Sequence, residues 1–109
     1  MRQVSEDVIW MPFVAGAVDA HGNPIESWGD PVTKGIYALD PGSTSEPREG
    51  QDRVIVEPAV YMPTDVVFGS RDLVIARGNA YTVEGVTREW RHPRLGRIGN
   101  VATLRRVEG

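Results

Sequence analysis

The residues that could do chemistry in this sequence are few and stand apart from one another. The histidines, His21 and His92, have no second metal-ligating side chain at a suitable spacing. Ser43 and Ser45 are predicted to lie in a flexible polar loop, which is a poor place to hold a base within hydrogen-bond reach of a nucleophile. The carboxylates form no paired motif, and the glycines form neither a phosphate-binding loop nor a dinucleotide fingerprint. We therefore expect no catalytic residue, no metal site and no cofactor, and predict that the protein is not an enzyme.

A second chemically distinctive group consists of four arginines that recur every third residue: Arg88, Arg91, Arg94 and Arg97. This spacing fits a stripe along a helix, but Pro93 and Gly96 favour a loop. Such a loop is either a solvated surface or a contact with another molecule, because each guanidinium presents a planar set of donors. The four arginines are therefore candidate contacts with a neighbouring subunit, another partner or nucleic acid.

The composition fits one ordinary globular domain. The 109 residues are 40% hydrophobic and 25% charged, and they include no cysteine. No apolar run approaches the roughly 20 residues of a transmembrane helix, and the polar N-terminus has no apolar signal core. We therefore expect the protein to remain in the cytoplasm where it is made.

The charge is divided unevenly along the chain. Residues 1–70 carry four basic and eleven acidic side chains, a net charge of −7. Residues 71–109 carry eight arginines and four acidic side chains, a net charge of +4. The charges are either solvated surface side chains without a further role, or they attract subunits head to tail, with an acidic face of one copy against a basic face of the next.

The elements that must position these residues are predicted to be short strands. Twelve glycines and eight prolines interrupt helical periodicity, whereas alternating and β-branched segments recur along the chain. Turns are predicted at 21–24 and 78–79. We predict a single all-β domain over 1–109, a six- or seven-stranded β-barrel or sandwich with long loops. The candidate strands are 8–18, 25–28, 32–39, 53–62, 72–77, 80–86 and 100–107.

Two long loops are predicted between these strands. The first, 40–52, has no apolar residue and is expected to be an extended polar loop. Its charged members are Asp40, Glu46, Arg48, Glu49 and Asp52. The second, 87–99, contains the four arginines and is expected to be anchored by Trp90, packed on Tyr81 or on the last strand.

The C-terminal half resembles head-to-tail stopper proteins, also called head-completion or connector proteins, of siphophages that infect actinobacteria. The residues that carry the resemblance are Val60-Tyr61-Met62-Pro63, Arg71-Asp72, Tyr81-Thr82-Val83-Glu84-Gly85, Trp90, Pro93, Gly96 and the strand from Val101 to Gly109. Residues 1–52 match this family only in general plan.

The resemblance implies a small β-barrel subunit that forms a homo-oligomeric ring in the virion neck. Such a ring lies below the portal and adaptor proteins, closes the channel that holds packaged double-stranded DNA, and provides a docking surface for the tail and its terminator protein. The polar loop 40–52 then becomes a candidate channel gate. Two other functions stay open: another head–tail joining or tail-terminator role, and a small β-barrel that binds single-stranded nucleic acid.

Overall fold

Every regular element that the structure describes is a β-strand. The computed structural model describes residues 4–45 and 54–107, and this part contains no helix, so none that could cross a membrane. The predicted all-β class is confirmed. The nine strands are β1 (Glu6–Met11), β2 (Val32–Ile36), β3 (Ala38–Asp40), β4 (Ser43–Ser45), β5 (Val54–Val56), β6 (Ala59–Met62), β7 (Leu73–Ala76), β8 (Asn79–His92) and β9 (Gly96–Arg106).

Seven of the strands form one antiparallel sheet in the order β2-β1-β7-β8-β9-β6-β3. Its two edge strands, β2 and β3, are separated in the chain only by Tyr37, so one segment supplies both edges of the sheet. No pairing between these edges closes the sheet into a barrel. The sequence predicted either a barrel or a sandwich. Because the sheet is not closed, the architecture is the sandwich-like one. Strands β4 and β5 form a separate two-stranded sheet.

The core lies on one face of the curved main sheet, as the alternation of apolar residues predicts. Along β6 and β7 every second residue is buried, and the same alternation occurs at Tyr81 and Val83 in β8. Tyr81, which was predicted to be a structural anchor, is thus a core residue. The buried hydrophobic residues are Val8, Ile36, Leu39, Val60, Met62, Val66, Phe68, Val74, Ala76, Tyr81, Val83, Ala102 and Leu104.

Prolines and positive-φ residues end the strands near the positions that the sequence indicated. The candidate strand 53–62 is broken at Pro58 into β5 and β6. The turn predicted at 78–79 is shifted by one residue, because Arg77 and Gly78 adopt φ values of 50° and 77° between the paired residues Ala76 and Asn79. Residues 14–27 form a loosely paired hairpin, joined by bonds such as that from Val14 N to Ser27 O at 2.8 Å.

A buried carboxylate ties three segments together at one end of the sheet. Asp72 is 5% exposed, and its side chain accepts hydrogen bonds from Trp10 Nε1 at 2.7 Å and from the backbone nitrogens of Phe13 at 2.8 Å and Gly69 at 2.6 Å. Because burial without such donors would be costly, the carboxylate fixes the relative position of β1 and the turn before β7.

The buried amide of Asn100 and the glycine at 99 fix neighbouring segments to each other where β9 enters the core. Asn100 Nδ2 donates to Val66 O at 2.8 Å and thereby holds the turn after β6. At Gly99, a Cβ atom would overlap the backbone carbonyl oxygen of Met62 on the neighbouring strand. The close approach of β6 and β9 therefore requires glycine at this position.

Replacing Gly99 by alanine is expected to lower the free energy of unfolding by about 3 kcal/mol, because the backbone atom it meets cannot rotate away. Chemical denaturation monitored by circular dichroism measures this change. Thr103→Ala, in the same strand, removes atoms without adding any and should cost less. Equal stability of Gly99→Ala and the parent protein would contradict this account of the β6–β9 packing.

Both predicted long loops are corrected by the strand pairing. Segment 87–99 is not a loop, because β8 extends to His92 and β9 begins at Gly96. The first part of segment 40–52 is not a loop. Asp40 is the last residue of β3, and Ser43–Ser45 forms β4, which pairs with β5. The predicted charged residues Glu46, Arg48, Glu49 and Asp52 lie outside the described residues.

Candidate functional site

The most distinctive surface is the outer part of the β8–β9 hairpin. Strand β7 pairs with β8 only from Asn79 to Thr82, and β6 pairs with β9 only from Asn100 to Thr103. Residues 86–98 therefore extend past both neighbouring strands, with no further strand of the main sheet paired to either side. We call residues 86–98 the distal hairpin.

A bulge separates the distal hairpin from the part of β8 in the core sheet. The pairing passes from Glu84–Thr103 to Arg88–Val101, so β8 contains two extra residues there. Gly85 adopts a φ of 69°, a conformation that glycine tolerates best. Thr87 Oγ1 donates to Phe68 O at 2.6 Å, which fixes the bulge to the turn before β7. The distal hairpin thus starts from a defined backbone geometry.

The four predicted contact arginines all lie on the distal hairpin, in different settings. Arg88 donates through Nη2 to Thr103 Oγ1 at 3.2 Å. Arg91 forms an ion pair with Glu89 at 2.6 Å between Nε and Oε2. Arg97 donates through Nη2 to the Oδ1 atom of buried Asn100 at 2.6 Å, so part of its role is structural. The spacing of three residues therefore reflects neither a helix stripe nor a loop.

The charges of the distal hairpin are only partly compensated. Arg91 and Arg97 are directly opposite each other, an arrangement that is unfavourable for like charges. The hydrogen bond from Arg91 lowers the pKa of Glu89, which keeps this carboxylate charged. With four arginines and Glu89 as its one acidic residue, the distal hairpin has a net charge of +3 when histidine is neutral. It is an exposed basic surface.

The tip of the distal hairpin presents an apolar side chain between two arginines. His92 Nδ1 accepts hydrogen bonds from the backbone nitrogens of Arg94 at 3.1 Å and Leu95 at 3.3 Å. Gly96 follows with a φ of 75°. Leu95 is 73% exposed. An ordered turn thus holds an apolar side chain in solvent, beside the arginines of the tip.

Trp90 anchors the distal hairpin to the sheet through other aromatic rings. Its ring centroid lies 5.1 Å from that of Tyr61 and 6.3 Å from that of Tyr37. It also packs on Gly99, the residue it faces in β9. Of the two predicted neighbours, Tyr81 and the last strand, the ring lies against the last strand, and its aromatic neighbours are Tyr37 and Tyr61. We call Tyr37, Tyr61 and Trp90 the aromatic cluster.

Replacing Trp90 by alanine is expected to lower the free energy of unfolding by about 3 kcal/mol, because the substitution removes a large half-buried ring and two aromatic contacts. Thermal and chemical denaturation measure this loss. Val86→Ala is a suitable control, because Val86 is 81% exposed in the same hairpin and should have little effect. An unchanged melting temperature for Trp90→Ala would contradict its role as an anchor.

A cleft lies on the part of the sheet from which the distal hairpin starts. It has a volume of about 210 Å³, with Phe13, Trp28 and Val83 among its apolar residues and Glu26 and Glu84 among its acidic ones. Arg71 lies 4.1 Å above the Phe13 ring and 3.6 Å from the Glu26 carboxylate. Trp28 Nε1 donates to Arg71 O at 2.9 Å. Sequence reasoning did not find this cleft, because its residues are far apart in the chain.

Arg71 itself has an unusual backbone. Its φ of 73° is uncommon for a residue other than glycine. A backbone hydrogen bond from Arg71 N to Val83 O at 2.9 Å and a side-chain hydrogen bond from Trp28 Nε1 to Arg71 O hold it in this conformation. A constrained residue beside a cleft is a useful indication of a binding surface.

No cluster of three or more histidine or acidic side chains that could hold a metal ion occurs within 4–45 and 54–107. Asp40, a predicted gate residue, is exposed and accepts a hydrogen bond from Gly42 N at 2.9 Å. His21 is exposed in a turn whose backbone donates to Asp19, and these bonds lower the pKa of Asp19.

The chain matches no family model and no curated protein. The assignment of a function therefore depends on the geometry of the distal hairpin, the aromatic cluster and the cleft, together with the sequence resemblance.

Proposed function

We propose that this chain is a structural subunit of the neck of a tailed phage. In this proposal it is a head-to-tail stopper that forms a ring below the portal and adaptor, closes the exit channel for DNA, and provides the surface on which the tail docks. The observation that carries the proposal is the distal hairpin, because a rigid basic projection from a small β domain suits a subunit that functions through contacts with neighbours.

The positions of the residues that resemble stopper proteins support this proposal. Asp72 is the buried carboxylate, Gly85 has positive φ at the bulge, Trp90 belongs to the aromatic cluster, and Gly96 closes the tip. These residues build and anchor one structural unit, β7–β8–β9 with its distal hairpin. The resemblance is therefore to a structural pattern, which is what an assembly protein without a reaction to catalyse would need.

The charge division supports assembly between copies and with partner proteins. The net charge of +4 in residues 71–109 includes the +3 of the distal hairpin, and residues 1–70 have a net charge of −7. Arg88, Arg91, Arg94 and Arg97 are accordingly proposed as contacts with a neighbouring subunit or partner. Exposed ion pairs contribute roughly 0–1 kcal/mol each, so we propose that the pure protein is monomeric or weakly associated. A preformed adaptor ring would raise its effective concentration.

The acidic segment 40–52 is proposed as the gate of the channel. Asp40, Glu46, Glu49 and Asp52 outnumber Arg48, so the segment repels DNA and can hold it back without binding it. Such a gate would release the genome when the tail signals infection.

The experiment that tests this proposal is removal of the gene from a phage that encodes the protein. We expect heads that package DNA but lose it and do not join tails, and supplying the full chain to purified heads should restore both properties. Particles that retain DNA and infect normally without the protein would contradict the proposed function.

One observation favours a second candidate, a module that binds single-stranded nucleic acid. Trp90 of the aromatic cluster is two residues from Arg88 and adjacent to Arg91 in β8, and stacked bases beside basic side chains are typical of such modules. A titration with single-stranded DNA separates the two candidates. Tight, salt-dependent binding that is lost in Trp90→Ala would favour the nucleic-acid module.

A further inference from the structure

We propose that the tip of the distal hairpin of one copy inserts Leu95 into the cleft of a second copy of this chain. This inference rests on the proposed function for its place in the particle, but its geometry and its test concern the isolated protein. The partner of the basic surface is then the face of another copy that contains Trp28, Glu26 and Glu84.

Size is the first argument for this contact. The cleft has a volume of about 210 Å³. An apolar cavity of about 150 Å³ holds a benzene molecule, and the isobutyl group of leucine has two carbons fewer than benzene. Phe13 and Trp28 line the cleft and are only partly buried, so they supply apolar surface beside its polar groups.

Charge complementarity is the second argument. Leu95 is preceded by Arg94 and followed, after Gly96, by Arg97. The cleft has two carboxylates, Glu26 and Glu84, which form ion pairs with Arg71 at 3.6 Å and Arg105 at 3.2 Å. Each carboxylate has about four acceptor positions, so it can accept a second guanidinium while it retains the first. Both of these ion pairs are exposed and accessible to a partner.

The ordered tip of the distal hairpin and its distance from the cleft of the same chain make the contact intermolecular. The tip is ordered by the two hydrogen bonds to His92 Nδ1, so little conformational freedom is lost on insertion. Gly85, at the cleft, and His92, before the tip, are seven residues apart on one paired strand, or roughly 20 Å at the rise of a β-strand. Leu95 cannot fold back into the cleft of its own chain. A tip and a cleft at different places on one chain form a heterologous contact, which generates a ring when the rotation closes.

The test uses the three indole signals of the protein in ¹⁵N-labelled samples, assigned by single Trp→Phe substitutions. The labelled chain is Leu95→Asp, which has an intact cleft but no apolar tip. Unlabelled parent protein is the titrant. Because Trp28 lies in the cleft, its indole signal should shift progressively and approach saturation as the titrant is added.

Three further titrants complete the design. Unlabelled Leu95→Asp and Leu95→Ser should cause no such shift, the serine variant separating loss of the apolar group from added charge. Val18→Asp, which changes an exposed valine elsewhere, should behave as the parent does. An unmoved Trp28 signal, or equal shifts with parent and Leu95→Asp titrants, would overturn the proposal. The proposed phage function would survive that result if the chain still restored heads that lack it.

Discussion

Replacing Arg91 and Arg94 by glutamate is expected to block addition of this chain to adaptor-bearing heads while the domain remains folded. The two substitutions change the charge of the distal hairpin from +3 to −1, since each removes one positive and adds one negative charge. Two exposed ion pairs contribute roughly 0–2 kcal/mol together, and the new repulsion adds a similar amount. The middle of the summed range, about 2 kcal/mol, corresponds to a contact that is weakened roughly thirtyfold. A ring compounds this loss over all of its subunits.

The choice of these two arginines follows from the contacts within the hairpin. Arg97 is retained because it donates to buried Asn100, and Arg88 is retained because it donates to Thr103. Arg91 loses only its exposed ion pair with Glu89. The measurement is cosedimentation of the purified variant with heads that carry the adaptor, with circular dichroism as the test of folding.

A matched control changes the same number of charges near the start of β8, at the end opposite the distal hairpin. Arg77→Glu with Arg106→Glu also removes one ion pair, that with Glu6, and one hydrogen bond, that with Asn79. The control should bind heads better than the hairpin variant does. Equal binding by both variants would show that total charge, and not the distal hairpin, directs addition.

Asp72→Ala is expected to cause the largest loss of stability, about 4 kcal/mol. The substitution leaves Trp10 Nε1 and the backbone nitrogens of Phe13 and Gly69 without their acceptor in a buried place. Typical domains have a free energy of unfolding of only about 5–15 kcal/mol, so partial unfolding at physiological temperature is expected. Urea denaturation measures the change.

Two other substitutions show whether this loss comes from the hydrogen bonds. Asp65→Ala removes an exposed carboxylate and should change the free energy of unfolding by less than about 0.5 kcal/mol. Asp72→Asn keeps one acceptor oxygen and should have an intermediate effect. A loss for Asp72→Ala no larger than that for Asp65→Ala would contradict the role assigned to the buried carboxylate.

The fold class could be predicted because it depends on local patterns. Alternation of apolar residues in 72–77 and 80–86 identifies strands that bury one face, and Pro58 marks a break between two others. The order of the strands in the sheet could not be predicted, because pairs such as β1 with β7 join residues more than 60 positions apart.

The distal hairpin was missed for a specific physical reason. Its two irregularities, the extra residues after Glu84 and the extra residue at Ile98, each shift the alternation between the faces of the sheet. The segment therefore contains no period of two that is long enough to indicate a strand, and Pro93 and Gly96 reinforce the impression of a loop. The pairing of Trp90 with Gly99 could have identified the hairpin, because a large ring lies opposite a residue that has no side chain.

The candidate site was partly accessible from the sequence. The spacing of the four arginines could be recognised in the sequence. Their contacts with Glu89, Asn100 and Thr103 could not, because these depend on the strand pairing. The hydrogen bonds of Asp72 and the cleft form only when segments that are distant in the chain come together. No local sequence pattern could therefore indicate them.

The most direct test of the central claim is cryo-electron microscopy of the neck in intact phage particles that contain this chain. The account predicts a ring of copies between adaptor and tail, each fitting the seven-stranded sheet with its distal hairpin directed at a neighbouring protein. Density for the neck that is fully explained by other proteins, with no position for this sheet, would contradict it.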